Sequence, residues 1–440
     1  MNQKSWVVAV DMGYGHQRAA FPLRHLSLNG EVLIANNYKG IPKKDFRLWR
    51  SMRKIYETIS RLNNIPLIGP PIFAAMDYFQ RIPEFYPRRD LSRPTLQLKQ
   101  MYRYIKKGWG KDLVNYLNTE NIPLITTFFT VAYFAEEHGF KNDIYIVLCD
   151  SDVSRAWAPL CPQKSRIKFL APTTRVVERL KLYGVKEKNI FLTGFPLPDK
   201  NIGKDLSIIK KDVAERIINL DPERHYRKKY AQTLKRFFRS LKLNDRHEHP
   251  LTLTFAVGGA GAQRSIADSI LLSLKKKLLK GEINFNLVAG SRNDVYLYFR
   301  KKIQTLGLSK ILDKNLKIIF AVQKEDYFKI FNEVLRTTDI LWTKPSELSF
   351  YTALGLPIII APPLGCQEHF NRSWLKTIAG GLDQENPLYT HEWLFDWIKS
   401  GWLAEAAMSG FLDGRQFGVE NITDVVFRRV KNPEKNDALV

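Results

Sequence analysis

The 440-residue chain has few cysteines and no long hydrophobic run. Its three cysteines form no CxxC pair, which argues against a disulfide framework or a structural zinc site and favours a reducing compartment. No stretch approaches the ~20 uninterrupted apolar residues that a membrane-spanning helix needs. The first apolar run, residues 6–10, breaks at Asp11 and Gly13 and is too short for a signal-peptide core. We therefore expect a cytoplasmic protein, or one held on a membrane surface.

Acidic residues are scarce relative to basic ones. The chain has 68 Lys and Arg against 44 Asp and Glu, a formal net charge of +24 at pH 7. A surplus of this size attracts polyanions such as nucleic acid, anionic lipid headgroups or phosphorylated substrates, and it indicates nothing about the fold. The 45% of hydrophobic residues is that of an ordinary globular protein.

Short apolar runs alternate with amphipathic stretches along most of the chain. Such runs predict strands of parallel β-sheets that are covered by helices on both faces. We predict strands at residues 6–10, 31–36, 123–127, 144–149, 168–171 and 190–193, and again at 253–257, 284–289, 316–321, 339–342 and 357–361. Two such sets predict an α/β protein with two doubly wound domains.

The strand sets divide the chain into four predicted segments. They are a first Rossmann-like, acceptor-binding domain over 1–198, a basic linker over 199–250, a second, nucleotide-sugar-binding domain over 251–375 and a helical tail over 376–440. We expect part of the tail to pack back on the first domain. The linker holds 14 Lys or Arg, with apolar residues at helical spacing from Tyr226 to Leu241. That pattern fits a helix docked on one domain, or a basic amphipathic helix at a membrane surface.

A basic and aromatic insertion interrupts the first domain at residues 41–107. It carries 15 Lys or Arg against five acidic residues, and its proline-studded apolar run at 65–76 suits a wedge or loop. The aromatic residues of the insertion include Trp49, Tyr56, Phe73, Tyr78, Phe79, Phe85, Tyr86, Tyr102 and Tyr104. Basic residues with aromatics are typical of grooves for single-stranded nucleic acid and of membrane-facing patches alike.

A glycine-containing turn, Asp-Met-Gly-Tyr-Gly-His-Gln at residues 11–17, follows the first predicted strand. Glycines at a strand-to-helix turn let the backbone approach a ligand, so Gly13 and Gly15 are candidate binding residues. His16 at the mouth of the turn could take a proton from a sugar or lipid hydroxyl near neutral pH. His16 is therefore the candidate catalytic residue, and the alternative is a histidine that only caps or positions the helix.

A second glycine-rich turn, Val-Gly-Gly-Ala-Gly-Ala-Gln at residues 257–263, precedes a predicted helix at 265–280. Such a turn can cradle a diphosphate through backbone N–H groups, or it can allow close packing of a helix on a strand. The candidate ligands of the diphosphate are Gly258, Gly259, Ala260 and Gly261.

Polar residues follow three other predicted strands, where open α/β sheets bind their ligands. Lys344 could complement phosphate charge, whereas Glu347, Gln367 and Glu368 could accept hydrogen bonds from ribose or hexose hydroxyls. Asp150 and Asp152 form a carboxylate pair after the strand at 144–149. Because this pair falls in the first domain, away from the diphosphate turn, we expect an acceptor-side or structural role and no metal.

Taken in order, these segments resemble a family of GT-B glycosyltransferases. The family contains processive diacylglycerol glycosyltransferases, monogalactosyldiacylglycerol synthases and the peptidoglycan N-acetylglucosaminyltransferase that acts on a polyprenyl-linked acceptor. The similar segments, spread over roughly 300 residues, are 13–16, 148–157, 170–173, 192–196, 257–262, 289–293, 343–345, 355–357 and 367–371.

The resemblance implies two Rossmann-like domains that face each other across a cleft. It further implies an inverting transfer that needs no metal or cofactor, from a nucleotide-sugar (expected to be a UDP-sugar) to a lipid or lipid-linked acceptor. The second domain would hold the donor and the first the acceptor, at the anionic inner face of the cell membrane. The resemblance gives His16 the role of base or acceptor-orienting group, and Gln367 and Glu368 that of sugar ligands. It places Ser346 in the phosphate turn, Arg292 and Asn293 near the nucleotide base, and Thr343 with Lys344 in the last donor-binding segment.

Two departures from the family pattern leave other functions open. Ser346-Glu347 replaces the family's Gly-Gly pair after Lys-Pro, and a shorter spacing to Gly355 puts the family's ribose-binding glutamate on Phe350 or Thr352. Either Glu347 has taken over the ribose, or donor binding is altered or lost. The alternatives are a GT-B nucleotide-sugar 2-epimerase and a non-catalytic binder of nucleotide-sugar, lipid or RNA on the same scaffold. Nucleic acid is the least favoured partner.

Overall fold

The computed structural model describes residues 3–51, 81–238, 249–256, 258, 261 and 263–430. These residues form two compact units. The first consists of the described parts of Met1–Leu197, Leu364–Asn371 and Arg415–Asp437, and the second of those of Pro198–Pro363 and Arg372–Gly414. The chain therefore enters the first unit three times. The apolar run at 65–76 and residues Gly259, Ala260 and Leu241, singled out above, lie outside the described residues.

The first unit is built on a six-stranded parallel sheet. Its strands are β1 (Trp6–Ala9), β2 (Leu33–Ile34), β3 (Leu124–Thr126), β4 (Ile144–Val147), β5 (Lys168–Ala171) and β6 (Ile190–Leu192). The spatial order is β2-β1-β3-β4-β5-β6. Because β2 lies on one side of β1 and β3 on the other, the order reverses between β1 and β3, which makes the carboxyl end of this strand pair the topological switch point.

Both faces of this sheet are buried, as continuous apolar strands require. Trp6 and Val8 of β1 point into one hydrophobic core, and Val7 and Ala9 into the other. The helices of this unit include α1 (Gly15–Ala20), α2 (Leu96–Lys106), α3 (Lys111–Leu117), α4 (Phe129–Glu137) and α5 (Thr174–Leu182). The second core is completed from the far end of the chain by Val419, Ile422, Val425 and Val426.

The second unit is built on another six-stranded parallel sheet. Its strands are β7 (Leu251–Ala256), β8 (Ile283–Gly290), β9 (Leu316–Phe320), β10 (Ile340–Thr343), β11 (Ile358–Ile360) and β12 (Gly381–Asp383). The order β12-β11-β10-β7-β8-β9 is that of the Rossmann fold, with its switch point between β7 and β10.

Helices cover this sheet on both sides. They are α6 (Asp199–Ile202), α7 (Ser207–Leu220), α8 (His225–Lys229), α9 (Ala231–Phe237), α10 (Ile266–Leu279), α11 (Asn293–Thr305), α12 (Lys324–Arg336), α14 (Thr390–Lys399) and α15 (Trp402–Asp413). α13 (Cys366–Thr377) contributes residues to both units, and α16 (Gly418–Thr423) belongs to the first.

The stretch from 199 to 238, predicted as the start of a linker, is packed into the second unit. Tyr226, Leu234 and Phe238 are buried, and the ring of Phe238 stacks on that of Phe411 at a centroid distance of 6.2 Å. The apolar face of α8 and α9 is therefore covered by protein, which favours the docked helix over a membrane-surface helix.

Two parallel six-stranded sheets with flanking helices confirm the predicted GT-B fold class. All eleven predicted strands are present, although β2 is shortened from 31–36 to Leu33–Ile34. The twelfth strand, β12, was missed because it has three residues, begins with glycine and lies at the edge of the sheet, pairing with β11 alone.

A buried carboxyl group makes the stability of the second unit depend on pH. Asp339 is fully buried, and its Oδ2 accepts hydrogen bonds from the N–H of Thr252 (2.7 Å) and from Asn219 (2.9 Å), with His249 Nδ1 3.8 Å away. Burial raises the pKa of Asp339 from 3.8 to about 6, while the nearby charges of His249 and Arg216 oppose the rise.

We expect wild type to gain stability relative to Asp339→Asn as the pH falls from 7 to 4. The folded state binds the proton at about pH 6 and the unfolded state only near 3.8, so the gain amounts to about 3 kcal/mol, all of it between those two values. Urea unfolding of both proteins over this pH range measures the difference. The same comparison in a His249→Gln background removes the facing imidazole. A difference in unfolding free energy that does not vary with pH would contradict the assignment.

Candidate functional site

The turn after β1 is held by side chains from two neighbouring segments. Asn36 accepts a hydrogen bond from the N–H of Asp11 (2.8 Å) and donates one to its carbonyl (3.2 Å). Gln17 of α1 donates to the carboxylate of Asp11 (3.2 Å). Gly13 has φ +103° with no atom within 4 Å of the Cβ position, so the turn is open on the side where a glycine is required. The structure thus places Gly13 and Gly15 between β1 and α1, at the switch point of the first sheet. Their role in binding stays a prediction.

His16 lies at the same switch point, between the ends of β1 and β3. The hydroxyl of Thr127, which directly follows β3, donates a hydrogen bond to the carbonyl of His16 (2.9 Å). The half-buried imidazole packs edge-on against Phe128 at a centroid distance of 4.9 Å, with Trp157 at 6.2 Å. An imidazole packed on aromatic rings can exchange a proton with a hydroxyl group. The rings of Phe128 and Trp157 are themselves buried. Thr127 and Phe128 were not singled out from the sequence.

The two carboxylates after β4 have different surroundings. Asp150 accepts a hydrogen bond from Asn371 (2.9 Å), which also accepts one from the N–H of Ser151 (2.8 Å). Asp152 is buried and forms a bidentate ion pair with Arg179 (2.8 and 2.9 Å) and a further pair with Arg175 (3.0 Å). The carboxylate of Asp152 therefore points into the unit, where it joins the β4 loop to α5. The described residues contain no group of three His, Cys, Asp or Glu side chains that could hold a metal ion.

Gln367 and Glu368 lie in the first turn of α13. An Oε of Glu368 accepts a hydrogen bond from the N–H of Leu364 (2.8 Å), and Gln367 is half-buried. The segment from Leu364 to Asn371 groups with the first unit, together with Asp150 and His16. The role of Gln367 and Glu368 as ligands of the sugar stays a prediction.

At the second switch point the loops after β7 and β10 are in close contact. A Cβ on Gly258 would lie 2.3 Å from Cε of Lys344, and Thr343 donates a hydrogen bond to the carbonyl of Ala256 (3.1 Å). The absence of a Cβ at position 258 lets the end of the lysine side chain lie this close to the backbone. The predicted diphosphate turn and the predicted phosphate-binding lysine are therefore neighbours in space, 86 residues apart in the chain.

The loop after β8 meets the same turn from the other side. Gly261 has φ +68° and donates its N–H to the carbonyl of Gly258 (2.7 Å), and its Cβ position lies 2.9 Å from Val295 and 3.8 Å from Nε of Arg292. Arg292 donates two hydrogen bonds to Asp294 (3.0 Å each), and this contact lowers the pKa of Asp294. Asn293 begins α11.

One cation of this region was missed in the sequence. The guanidinium of Arg264, just after the glycine-rich turn, lies 3.5 Å from Asp294 and 4.6 Å from the ring centre of Tyr298. Arg264 could have been identified from its position in the sequence, because it directly follows the turn that was predicted to bind the diphosphate.

Glu347, the candidate ligand of the ribose, lies in the loop after β10. It is half-buried and begins the 3₁₀ helix Glu347–Leu354, and the preceding Ser346 donates its N–H to the carbonyl of Lys344 (2.8 Å). The two positions that alignment with the family pattern suggested are buried. Phe350 packs on Trp374 with ring centres 5.0 Å apart, and Thr352 donates to the carbonyl of Gly380 (3.1 Å).

The described part of the basic and aromatic insertion separates into core and surface. Trp49, Phe85 and Tyr102 are buried, with Trp49 packed on Trp109 at 5.0 Å. Tyr86 and Tyr104 are 66% and 42% exposed. Tyr56, Phe73, Tyr78 and Phe79 lie outside the described residues. Among the helices that the structure describes, none is long and apolar enough to cross a membrane.

Comparison with known proteins gives one family match and distant structural similarity. Residues 231–361, less than half of the chain, match the model for Domain of unknown function (DUF6938). No curated protein matches the chain.

Three solved structures illustrate the structural similarity. S. aureus MnaA with UDP is 12% identical over 78% of this chain and 84% of that one, with a TM-score of 0.46. The UDP-GlcNAc 2-epimerase from Neisseria meningitidis bound to UDP-GlcNAc is 12% identical over 72% and 82%, with a TM-score of 0.39. MurG from Acinetobacter baumannii is 11% identical over 85% and 96%, with a TM-score of 0.42. Similarities this distant transfer no activity to this chain.

Proposed function

We propose that the protein is a glycosyltransferase that takes a hexose or N-acetylhexosamine from a nucleotide-diphosphate sugar, with UDP-sugars as the expected donors. The observation that carries the proposal is the approach of Lys344 to Gly258 at the switch point of a Rossmann-ordered sheet. Backbone N–H groups of a glycine turn and an adjacent lysine are a combination that binds diphosphates. Arg264 and Arg292 add positive charge beside the same turn, offset in part by Asp294.

On the acceptor side, the environment of His16 supports transfer to a hydroxyl group of a lipid or lipid-linked acceptor. The imidazole supplies a base next to an apolar aromatic wall, and the exposed Tyr86 and Tyr104 lie in a segment rich in Lys and Arg. Such a segment is suited to the anionic inner face of the cell membrane. Lysine and arginine beside the diphosphate can stabilise the leaving group, which accords with an inverting reaction that needs no metal. The sequence resemblance to lipid-acting GT-B enzymes points the same way.

Glu347→Ala should weaken nucleotide binding by about 1–3 kcal/mol, roughly 5- to 150-fold, because a charged hydrogen bond to the ribose would be lost. Calorimetry with several nucleoside diphosphates, together with a transfer assay on a lipid extract, measures this. The matched control is Glu333→Ala, an exposed glutamate on α12, which should leave the affinity unchanged.

The same experiments distinguish the alternative functions. If no nucleotide binds wild type and Glu347→Ala restores binding, the carboxylate is an obstacle and the transferase proposal falls. Nucleotide-sugar that is epimerised at C2 without any acceptor would instead identify a 2-epimerase. Binding without transfer or epimerisation would leave a non-catalytic binder.

A further inference from the structure

A concave surface lies in the first unit, outside both switch points. It is an open depression of about 860 Å³ bordered by three segments, residues 88–94, 160–164 and 181–184. This volume is within the roughly 300–1,000 Å³ range of small-molecule sites. We call it the basic pocket.

The basic pocket lies at the opposite edge of the sheet from His16. Residues 160–164 lead into the start of β5, and residues 181–184 end α5, which runs back from the carboxyl end of β5. Both segments are therefore at the amino ends of the strands, whereas His16 follows the carboxyl end of β1. Because ligands of the sheet's switch point bind at the carboxyl edge, the basic pocket is a separate site.

Hydrogen bonds join the three segments into a fixed frame. The buried guanidinium of Arg155 donates to the carbonyl of Ser92 (2.6 and 3.0 Å) and to those of Ala158 (2.6 Å) and Pro159 (3.1 Å). The N–H of Leu91 donates to the carbonyl of Leu182 (2.9 Å), and Gln163 donates to that of Gly184 (2.8 Å). The buried guanidinium of Arg155, the backbone bond from Leu91 and the side chain of Gln163 thus hold the three segments together.

The lining is strongly cationic. It contains five cations, Arg88, Arg89, Arg93, Lys164 and Lys181, and one carboxylate, Asp90. Two of the cations have outside partners, since Glu178 lies 3.6 Å from Arg88 and 3.1 Å from Lys181, and Glu187 lies 2.7 Å from Lys181.

The other three lining cations, Arg89, Arg93 and Lys164, are exposed and form no ion pair within 4 Å among the described residues. Arg89 donates a hydrogen bond to the carbonyl of Pro87 (3.0 Å). Hydrogen bonds from Ser92 and the charge of Arg93 lower the pKa of Asp90. Arginine and lysine side chains that line one concave surface are the usual partners of a phosphate group, since the guanidinium can bind two of its oxygens at once. The floor of Leu160, Pro162 and Leu182 can contact the carbon atoms attached to it.

We propose that the basic pocket binds the phosphate group of a small phosphate ester, apart from the donor site. The phosphate is either that of a soluble ester or that of an anionic phospholipid headgroup. The inference does not depend on the proposed sugar transfer, because none of the pocket residues belongs to either switch point. Residues 88–94 do belong to the insertion that we propose to face the membrane.

The exposed Cys161 in the lining provides a direct test. We expect a bound phosphate ester to slow the alkylation of Cys161 by iodoacetamide. Mass spectrometry of the labelled peptides measures the rate of this alkylation. Cys149, which is buried, and Cys366, which is half-buried, are internal references. The probes are inorganic phosphate, glycerol 3-phosphate, and vesicles of phosphatidylglycerol or of phosphatidylcholine. Protection by glycerol 3-phosphate identifies a soluble ester as ligand, and protection by phosphatidylglycerol vesicles alone identifies a lipid headgroup. No protection by any of these probes overturns the proposal.

A pair of matched triple variants separates a built pocket from general charge attraction. Arg89→Gln with Arg93→Gln and Lys164→Gln should raise the concentration needed for half-protection by about tenfold or more, the effect of losing at least one charge-assisted hydrogen bond. Lys301→Gln with Lys310→Gln and Lys314→Gln removes the same charge from exposed positions of the second unit, outside the insertion at 41–107, and should change that concentration little. An equal rise in the concentration needed for half-protection of Cys161 in both variants would overturn the proposal. Nucleotide affinity should be unchanged in both, so failure of the transferase proposal is measured independently.

Discussion

His16→Ala should lower the turnover number for sugar transfer by about 10²–10⁴-fold, the usual contribution of a general base. The affinity for nucleoside diphosphate should hardly change, because His16 follows β1 of the first unit whereas the glycine turn and Lys344 belong to the second. The loss is expected in turnover, since the imidazole would act on the acceptor hydroxyl as the new bond forms.

Two further variants distinguish a base from a residue that only positions the acceptor. His16→Gln keeps a polar side chain that can hydrogen bond but cannot accept the proton, so it should be as inactive as His16→Ala. His25→Ala is the matched control, because His25 is an exposed histidine of the same unit whose imidazole Nδ1 lies 2.9 Å from the carbonyl oxygen of Pro22. Recovery of turnover in His16→Gln, or a loss smaller than about tenfold in His16→Ala, would show that the imidazole orients the acceptor.

Most of the fold could be predicted because its strands are buried on both faces. A strand such as β4 or β11 is a continuous apolar run, and that signal is local. Short edge strands carry less of it, which is why β12 was missed and β2 was predicted too long. Near β12 the main constraint is tertiary: a Cβ on Gly381 would lie 2.8 Å from the carbonyl of Ile358.

The sequence predicts which residues of the candidate sites lie close together only where strand ends and glycine turns bring them there. The proximity of Gly258 and Lys344 follows from the strand order, since loops after adjacent parallel strands share one edge of the sheet. The contact between Asn371 and Asp150 joins residues 221 positions apart, and no sequence pattern in either segment predicts it. The same holds for the hydrogen bond from Thr127 to His16, 111 positions apart.

Asp152 shows how burial changes the interpretation of a motif. From the sequence, a carboxylate two residues after Asp150 is a candidate ligand of the substrate. In the structure both of its oxygens are bound by Arg179, a side chain with no exposed surface, and Arg175 covers one of them from outside. The guanidinium of Arg175 in turn lies 3.7 Å from the ring centre of Phe85. The arginines that bind Asp152 stand in α5, and nothing near Asp152 in the sequence identifies them.

Asp152→Ala should therefore destabilise the first unit by about 3–5 kcal/mol, the cost of leaving a buried arginine without its counter-charge. Glu187→Ala, which removes the solvent-exposed partner of Lys181 in the same unit, should cost no more than about 1 kcal/mol. Replacing both partners, Asp152→Leu with Arg179→Leu, should recover much of the loss because no unpaired charge stays buried. Hydrogen exchange of peptides from β4 and β5 reports the local free energy of opening, without assuming that two units unfold together.

A role in substrate binding would give the opposite pattern. The Michaelis constant for the acceptor would rise in Asp152→Ala at a temperature where the exchange of β4 and β5 is as slow as in wild type. The double variant would then be as impaired as the single one, since removing Arg179 cannot restore a lost substrate contact. We expect instead that the fraction of folded Asp152→Ala binds its substrates normally. Because the side chain of Arg179 has no exposed surface, we expect the Asp152 carboxylate to determine the stability of the first unit and not the affinity for substrates.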